Sequence, residues 1–211
     1  MINVFYSSIA DITTDEQEAA LLAQLPAALH HDVLRYHFRK DRVARIVARL
    51  MLLHTLQADG AGALFTTYSR TERGKPFIPG WKKFNISHSG SLVVLCTAAS
   101  DVGIDIEKHE DVDYTEFLNI LHADELYAIQ RSAAPVAAFY DLWARKEALL
   151  KAVGVGLTEG MDCYNCLPDV LVYDTTPWYF TRLALAQGYS SVVCASSTDD
   201  VAIMPFAPRL S

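Results

Sequence analysis

Val102-Gly103-Ile104-Asp105-Ile106-Glu107 has the alternation of a short strand. Side chains point to opposite faces along a strand, so Val102, Ile104 and Ile106 form one face and Gly103, Asp105 and Glu107 the other. The first is a core face. The second sets two carboxylates side by side, behind a glycine that leaves room for close approach to the backbone. Carboxylates on an otherwise apolar strand are costly to bury unless a cation or hydrogen-bond donors compensate them. Alone, the pattern also fits a strand whose outer face is wetted.

Upstream, Leu92 to Ala98 is an apolar run that reads as a buried strand, and Asp101 turns it into the acidic stretch. Before it stands Phe84-Asn85-Ile86-Ser87-His88-Ser89-Gly90. Ser87 and His88 are adjacent on a strand and point apart, so they do not make a nucleophile and its base. Two hydroxyls and an imidazole at a strand end suit a phosphate, and they equally suit a polar turn. Thr71-Glu72-Arg73-Gly74-Lys75-Pro76 is a turn in which Lys75 is held between glycine and proline. A strand is expected over about Leu64 to Tyr68. A long helix is expected over about Phe38 to Gln57, with Val43, Ile46, Val47, Leu50 and Leu53 as its buried face. Arg42, Arg45 and Arg49 flank that face, either as a solvated edge or as phosphate contacts. Thr13-Thr-Asp-Glu16 has capping-box spacing and opens a first helix.

Downstream, Asp111 to Leu121 and Ala123 to Arg131 read as helices, followed by a longer one over about Val136 to Val153. Trp143, Glu147 and Lys151 share one stripe of that helix. Glu147 and Lys151 suit an ordinary surface pair. Set against Asp105 and Glu107, they would add a third carboxylate and an ammonium. The remainder is β-rich, with strands at about 170–173, 178–185, 189–195 and 201–204.

The chain has 211 residues, half of them hydrophobic, and a formal net charge of −7. It is expected to fold as a globular body, without the basic footprint that nucleic-acid binding requires. No apolar run is long enough to span a membrane. Met1 to Tyr6 is expected to be a first strand and not a leader, so a cytoplasmic location is the default. Cys163-Tyr-Asn-Cys166 is a C-x-x-C without the second ligand pair that a zinc site needs, and Cys96 and Cys194 lie in apolar runs.

Cys96-Thr-Ala-Ala-Ser-Asp101-Val-Gly-Ile104 resembles Cys194-Ala-Ser-Ser-Thr-Asp199-Asp-Val-Ala-Ile203, about half a chain later and with one inserted residue. The repeat points to two similar halves, 1–99 and 100–211. The second copy has Met204-Pro205-Phe206 where the first has Asp105-Ile106-Glu107, so the acidic pair occurs once, at the junction where ligand clefts tend to lie.

Asp105, Glu107 and Glu147 offer oxygen ligands only, which suits Mg²⁺. With Lys75, Arg45, Lys151 and Lys146 as candidate cations, this chemistry points to transfer or cleavage at a pyrophosphate. Gly74-Lys75-Pro76, Phe84-Asn85-Ile86-Ser87-His88-Ser89, Val102-Gly103-Ile104-Asp105-Ile106-Glu107 and Trp143-Ala-Arg-Lys146-Glu147-Ala-Leu-Leu-Lys151 stand in this order. Together they resemble the motifs of the 4′-phosphopantetheinyl transferases of the surfactin (Sfp) type, over a region from Lys75 to Leu157.

The resemblance implies an α+β fold, a pseudo-dimer of two similar α/β subdomains with the active site in the cleft between them. It implies transfer of the 4′-phosphopantetheine group from coenzyme A to a serine of an apo acyl or peptidyl carrier protein, releasing adenosine 3′,5′-bisphosphate. Asp105, Glu107 and Glu147 would hold Mg²⁺ on the pyrophosphate, which Lys151 and Asp105 would also contact. Lys75, Ser87, His88 and Arg45 would contact the 3′-phosphate end of coenzyme A. The general base would be Glu147 or Glu125. Basic residues that some relatives carry before the long helix are replaced by Leu29, His30, His31 and Asp32. The carrier surface is expected at His109 to Glu125, with Phe117 and Leu121 as contacts, and a monomer is expected. The alternatives are a Mg²⁺-dependent hydrolase of a coenzyme A-like pyrophosphate and a non-catalytic coenzyme A-binding module.

Overall fold

A computed structural model describes residues 1–117, 119–156 and 161–210. Leu157, where the motif region ends, lies outside them, as does Leu118. The chain runs β1 (Ile2–Ser8), α1 (Asp15–Leu22), α2 (His30–Leu34), α3 (Arg39–Ala58), β2 (Ser69–Arg70), β3 (Pro76–Phe77), β4 (Lys83–Ser89) and β5 (Leu92–Ala98). It continues through β6 (Val102–Lys108), α4 (Ala123–Arg131), α5 (Pro135–Val153), β7 (Val170–Tyr173), β8 (Thr176–Arg182), β9 (Tyr189–Ala195) and β10 (Val201–Pro205). Two four-stranded sheets carry this mixed α/β fold, one ordered β10-β1-β5-β4 and the other β6-β9-β8-β7.

Strand alternation sorts the apolar residues into layers. Val93 and Leu95 of β5 face α3, where they meet Val43, Ile46, Val47, Leu50 and Met51. Val94 and Cys96 face the other way, into a core shared with Ile2 and Val4 of β1 and with Val102, Ile104 and Ile106 of β6. Val193 and Ala195 of β9 join that shared core, while Val192 and Cys194 turn outward to Ala144, Ala148 and Ala152 of α5. The order of layers is therefore α3, first sheet, second sheet, α5. The expected core face of β6 is completely buried.

The half-chain repeat falls where the chain passes between sheets. β5 to β6 crosses from the first sheet to the second, and β9 to β10 crosses back, ending in a parallel pairing of β10 with β1. The two crossings touch: the Ser100 and Ser197 hydroxyls are 2.7 Å apart, and the Ser196 amide donates to the Asp101 carbonyl.

Three local expectations differ from the structure. The cap of α1 is Thr14, not Thr13; its Oγ1 accepts from the Gln17 amide, and Gln17 Oε1 accepts from the Thr14 amide. Residues 64–68 are not a strand, because Gly62–Thr67 is a 3-10 helix. Thr66 and Thr67 donate to the carbonyls three residues back, and those local bonds outcompete a ladder. Between Asp111 and Leu121 the described residues hold one short 3-10 turn, Tyr114–Phe117, nucleated by Asp113 Oδ1 accepting from the Thr115 amide. Val112, Tyr114, Phe117 and Ile120 pack with buried Leu121 against Phe139 and Trp143 of α5, an irregular apolar cover.

Candidate active site

The two sheets meet along β4 and β6, and side chains close that seam. Asn85, Ser87 and Ser89 alternate on the face of β4 that points away from α3. Asn85 Oδ1 accepts from the Ile104 amide at 3.1 Å, Ser87 Oγ donates to Asp105 Oδ1 at 2.8 Å, and Ser89 Oγ donates to Glu107 Oε2 at 3.0 Å. The Ser-x-Ser pattern thus serves the Asp-x-Glu pattern, rung by rung.

Helix α5 lies on the polar face of β6, and Gly103 is what lets it approach. A Cβ at position 103 would stand 2.2 Å from the Ala148 carbonyl oxygen and 2.4 Å from the Ala152 amide nitrogen. The helix starts at Pro135, suited to a first turn, and ends at Gly154 in the left-handed conformation. Between these ends, the stripe Trp143, Glu147 and Lys151 falls against the acidic strand. Trp143 Nε1 donates to Glu107 Oε1 at 3.2 Å, and Lys151 Nζ lies 2.5 Å from Asp105 Oδ1 and 3.9 Å from Glu147 Oε2.

Two carboxylates, Asp105 and Glu147, thus share one ammonium, and Glu107 stands beside them on neutral donors. Asp105 is 1% exposed and its Oδ2 has no partner among the described residues. Burial raises the Asp105 pKa against the pull of Lys151. Burial, and then the Asp105 charge, push Glu107 up to about 7. Burial also raises Glu147. The group is short of positive charge.

As they stand, no three His, Cys, Asp or Glu side chains among the described residues are grouped to hold a metal ion. The Lys151 ammonium lies between Asp105 and Glu147, while Glu107 is turned to Trp143 and Ser89. The donor set nevertheless fits a hard divalent cation: all ligands are oxygen, and one carboxylate oxygen is buried without a partner.

The remaining candidates divide. Ser87 Oγ lies between Asp105 and Lys151, accepting from the Lys151 ammonium at 3.1 Å. His88 and Arg45 meet: Arg45 Nη1 is 2.8 Å from His88 Nε2, and its guanidinium lies over the Tyr36 ring. Arginine only donates, so Nε2 is the acceptor and His88 is neutral. Burial and the Arg45 charge lower the His88 pKa accordingly. Arg42 is paired to Glu18. Lys75 turns inward, donating to the Ala152 carbonyl at 2.5 Å, and burial lowers its pKa.

Glu125 does not join the acidic group. It is completely buried, pairs with Lys146 at 2.9 Å, and accepts from the Cys166 and His122 amides. With both oxygens engaged and no exposure, it has no route to a substrate hydroxyl. Lys146 is likewise spent on Glu125 and the Met161 and Tyr164 carbonyls. Leu121 is buried, so it is not a surface contact. Cys163 is exposed, Cys166 is buried, and both thiols are free.

A cavity of about 340 Å³ opens beside the acidic group, lined by Arg73, Lys75, Pro76, Asn85, Glu147 and Lys151 among others. That volume is in the range of small-molecule sites. Sequence reasoning missed the contributions of Asn85 and Tyr189 to the seam, and took Ser89 as a phosphate donor where its hydroxyl meets Glu107. The signal for Asn85 and for the Ser89 contact was their shared parity with Ser87. Tyr189, whose hydroxyl accepts from the Ser91 amide, left none.

Residues 101–187 match the family model described as the 4′-phosphopantetheinyl transferase superfamily, and residues 13–100 match that described as 4′-phosphopantetheinyl transferase, N-terminal. The 4′-phosphopantetheinyl transferase psf-1 of Bacillus pumilus is 31% identical over 177 residues, 76% of this chain and 74% of that protein. This chain belongs to the 4′-phosphopantetheinyl transferases. Another member of the family, the phosphopantetheinyl transferase of a Thraustochytrium species, is 34% identical over 171 residues, 70% of this chain and 58% of that protein. The chain thus spans less than two thirds of that relative. The 4′-phosphopantetheinyl transferase Sfp of Bacillus subtilis is 28% identical over 185 residues, 78% of this chain and 79% of that protein, in keeping with the surfactin type.

Proposed function

We propose that the chain transfers the 4′-phosphopantetheine group of coenzyme A to a serine of an apo acyl or peptidyl carrier protein. The observation that carries this reading is the group of buried Asp105 and half-buried Glu107 and Glu147, of which Asp105 and Glu147 share the Lys151 ammonium, beside a cavity at the seam of the two sheets. Asp105, Glu107 and Glu147 would hold Mg²⁺, which when bound neutralises charge on pyrophosphate oxygens. Lys151 stabilises the same charge from the protein side. Glu147, its pKa raised by burial, takes the proton of the carrier serine. The serine oxygen bonds to the β-phosphorus as the bridging P–O bond breaks, and adenosine 3′,5′-bisphosphate leaves with that electron pair. Arg45 and His88 serve the 3′-phosphate end as one hydrogen-bonded unit, Lys75 fixes the turn that lines the cavity, and Ser87 holds Asp105 and Lys151 in place beside the pyrophosphate.

We read residues 1–99 and 100–211 as two similar subdomains forming a pseudo-dimer with the site in its cleft. The first supplies three strands of one four-stranded sheet and the second all four of the other, each sheet is covered by one long helix, and the crossings at Ser100 and Ser197 support a pseudo-twofold relation. We read the chain as acting as a monomer. The four cysteines are free, which suits a reducing compartment such as the cytoplasm. Among the described residues, no helix is long and apolar enough to cross a membrane.

Intact-mass measurement separates the readings. With coenzyme A, Mg²⁺ and an apo carrier, gain of one phosphopantetheinyl group on the carrier is expected. Coenzyme A cleavage with unmodified carrier would point to the hydrolase, and binding without turnover to the module.

A further inference from the structure

Ser89 ends β4, and its hydroxyl is used twice. It donates to Glu107 Oε2 at 3.0 Å and accepts from the Lys108 amide at 3.1 Å. The other Glu107 oxygen receives Trp143 Nε1 at 3.2 Å. One donor on each oxygen fixes the plane of the carboxylate and leaves a lone pair free on each. Glu107 is the last acid of the strand and carries no ion pair among the described residues. Its direction therefore depends on these two neutral donors.

The position of Ser89 is itself fixed. Gly90, next in sequence, has φ +56°, and a Cβ there would lie 2.3 Å from the Tyr189 hydroxyl oxygen. That oxygen accepts from the Ser91 amide at 3.1 Å. Tyr189 stands opposite Lys108 in the β6–β9 ladder. The turn after Ser89 is thus clamped by the strand that neighbours the one carrying Glu107.

We propose that Ser89 is a positioning residue that aims Glu107, with Tyr189 holding the turn that presents it. This rests on the reading of Glu107 as a ligand of a divalent cation. On this reading Ser89 acts through Glu107, whose rotamer it sets. Outer partners of metal ligands commonly change metal affinity by about 10- to 100-fold when removed.

The test titrates Mn²⁺ into the full chain with coenzyme A present and follows loss of the free-ion paramagnetic resonance signal. Ser89→Ala is expected to weaken Mn²⁺ binding about tenfold, with Ser89→Thr, which keeps the hydroxyl, restoring it to within about threefold. Tyr189→Phe is expected to weaken it less, in the same direction. At saturating Mg²⁺ the KM for coenzyme A should stay within about threefold for Ser89→Ala, a split that general loosening of the fold would not give. Unchanged Mn²⁺ binding in Ser89→Ala, with Glu107→Ala losing it, would overturn the role of Ser89 alone. Full Mn²⁺ binding in Glu107→Ala would overturn the metal reading beneath it, and this proposal with it.

Discussion

Lys151 Nζ lies 2.5 Å from Asp105 Oδ1, and the same ammonium reaches Glu147 at 3.9 Å. One lysine therefore compensates a strand acid and an acid of its own helix. Removing it leaves buried negative charge without a partner, a change that costs on the order of 3 kcal/mol. Lys151→Ala is expected to lower the melting temperature in chelator and to regain more of it on Mg²⁺ addition than the parent does. Thermal scans with and without Mg²⁺ check this; a variant as stable as the parent in chelator would count against the charge balance described.

Gly103 sets the distance between helix and strand. Its missing side chain is the space taken by the Ala148 carbonyl and the Ala152 amide. Gly103→Ala must lift α5 from β6, and overpacking against backbone costs about 3 kcal/mol or more. Denaturant titration should show that loss together with loss of transfer. A stable, active Gly103→Ala would mean that α5 does not need this contact.

Glu125 and Glu147 separate stability from chemistry. Glu125→Ala strands Lys146 in the interior and should destabilise by about 3–5 kcal/mol. Glu147→Gln removes a carboxylate whose ionised form burial disfavours, so its melting temperature should hold or rise while kcat falls by about 100-fold or more. Measured stabilities and turnover of the two variants check the division; the reverse pattern would restore Glu125 as the base.

His88 gives a pH dependence. Its pKa is lowered by burial, then by Arg45, with Lys151 and Lys40 adding to this and Asp41 opposing it. The unfolded chain binds a proton at this group at higher pH than the folded chain, so below about 6.5 acid favours unfolding. His88 thus contributes stability that is present above that pH and lost as the pH falls through the folded value. His88→Gln keeps an acceptor for Arg45 and should flatten the decline in stability between pH 7 and 5. An unchanged slope would assign it to other groups.

Parity and helical spacing made much of this molecule legible. The buried face of β6 followed from Val102, Ile104 and Ile106 alternating, and spacing put Trp143, Glu147 and Lys151 on one stripe, whose contact with the acidic strand was one of two readings open to it. The half-chain repeat marked the two crossings between sheets. What sequence could not convey was the choice each charged side chain makes among partners distant in the chain. Glu125 reads as a candidate base until Lys146 and the Cys166 amide enclose it. Lys75 reads as an aimed cation until it caps the end of α5. Residues 64–68 and 111–121 failed for a local reason: threonine and aspartate side chains there bond to the nearby backbone and override the apolar pattern.

The most direct measurement is the rate at which an apo carrier protein gains a phosphopantetheinyl group from coenzyme A, followed by intact mass for the parent and Asp105→Asn over a Mg²⁺ series. The parent is expected to modify the carrier only with Mg²⁺ present, and the folded variant to leave it unmodified at every concentration. Modification by Asp105→Asn at the parental rate, or by the parent in chelator, would contradict the assignment of the β6 carboxylates as the metal site for this transfer.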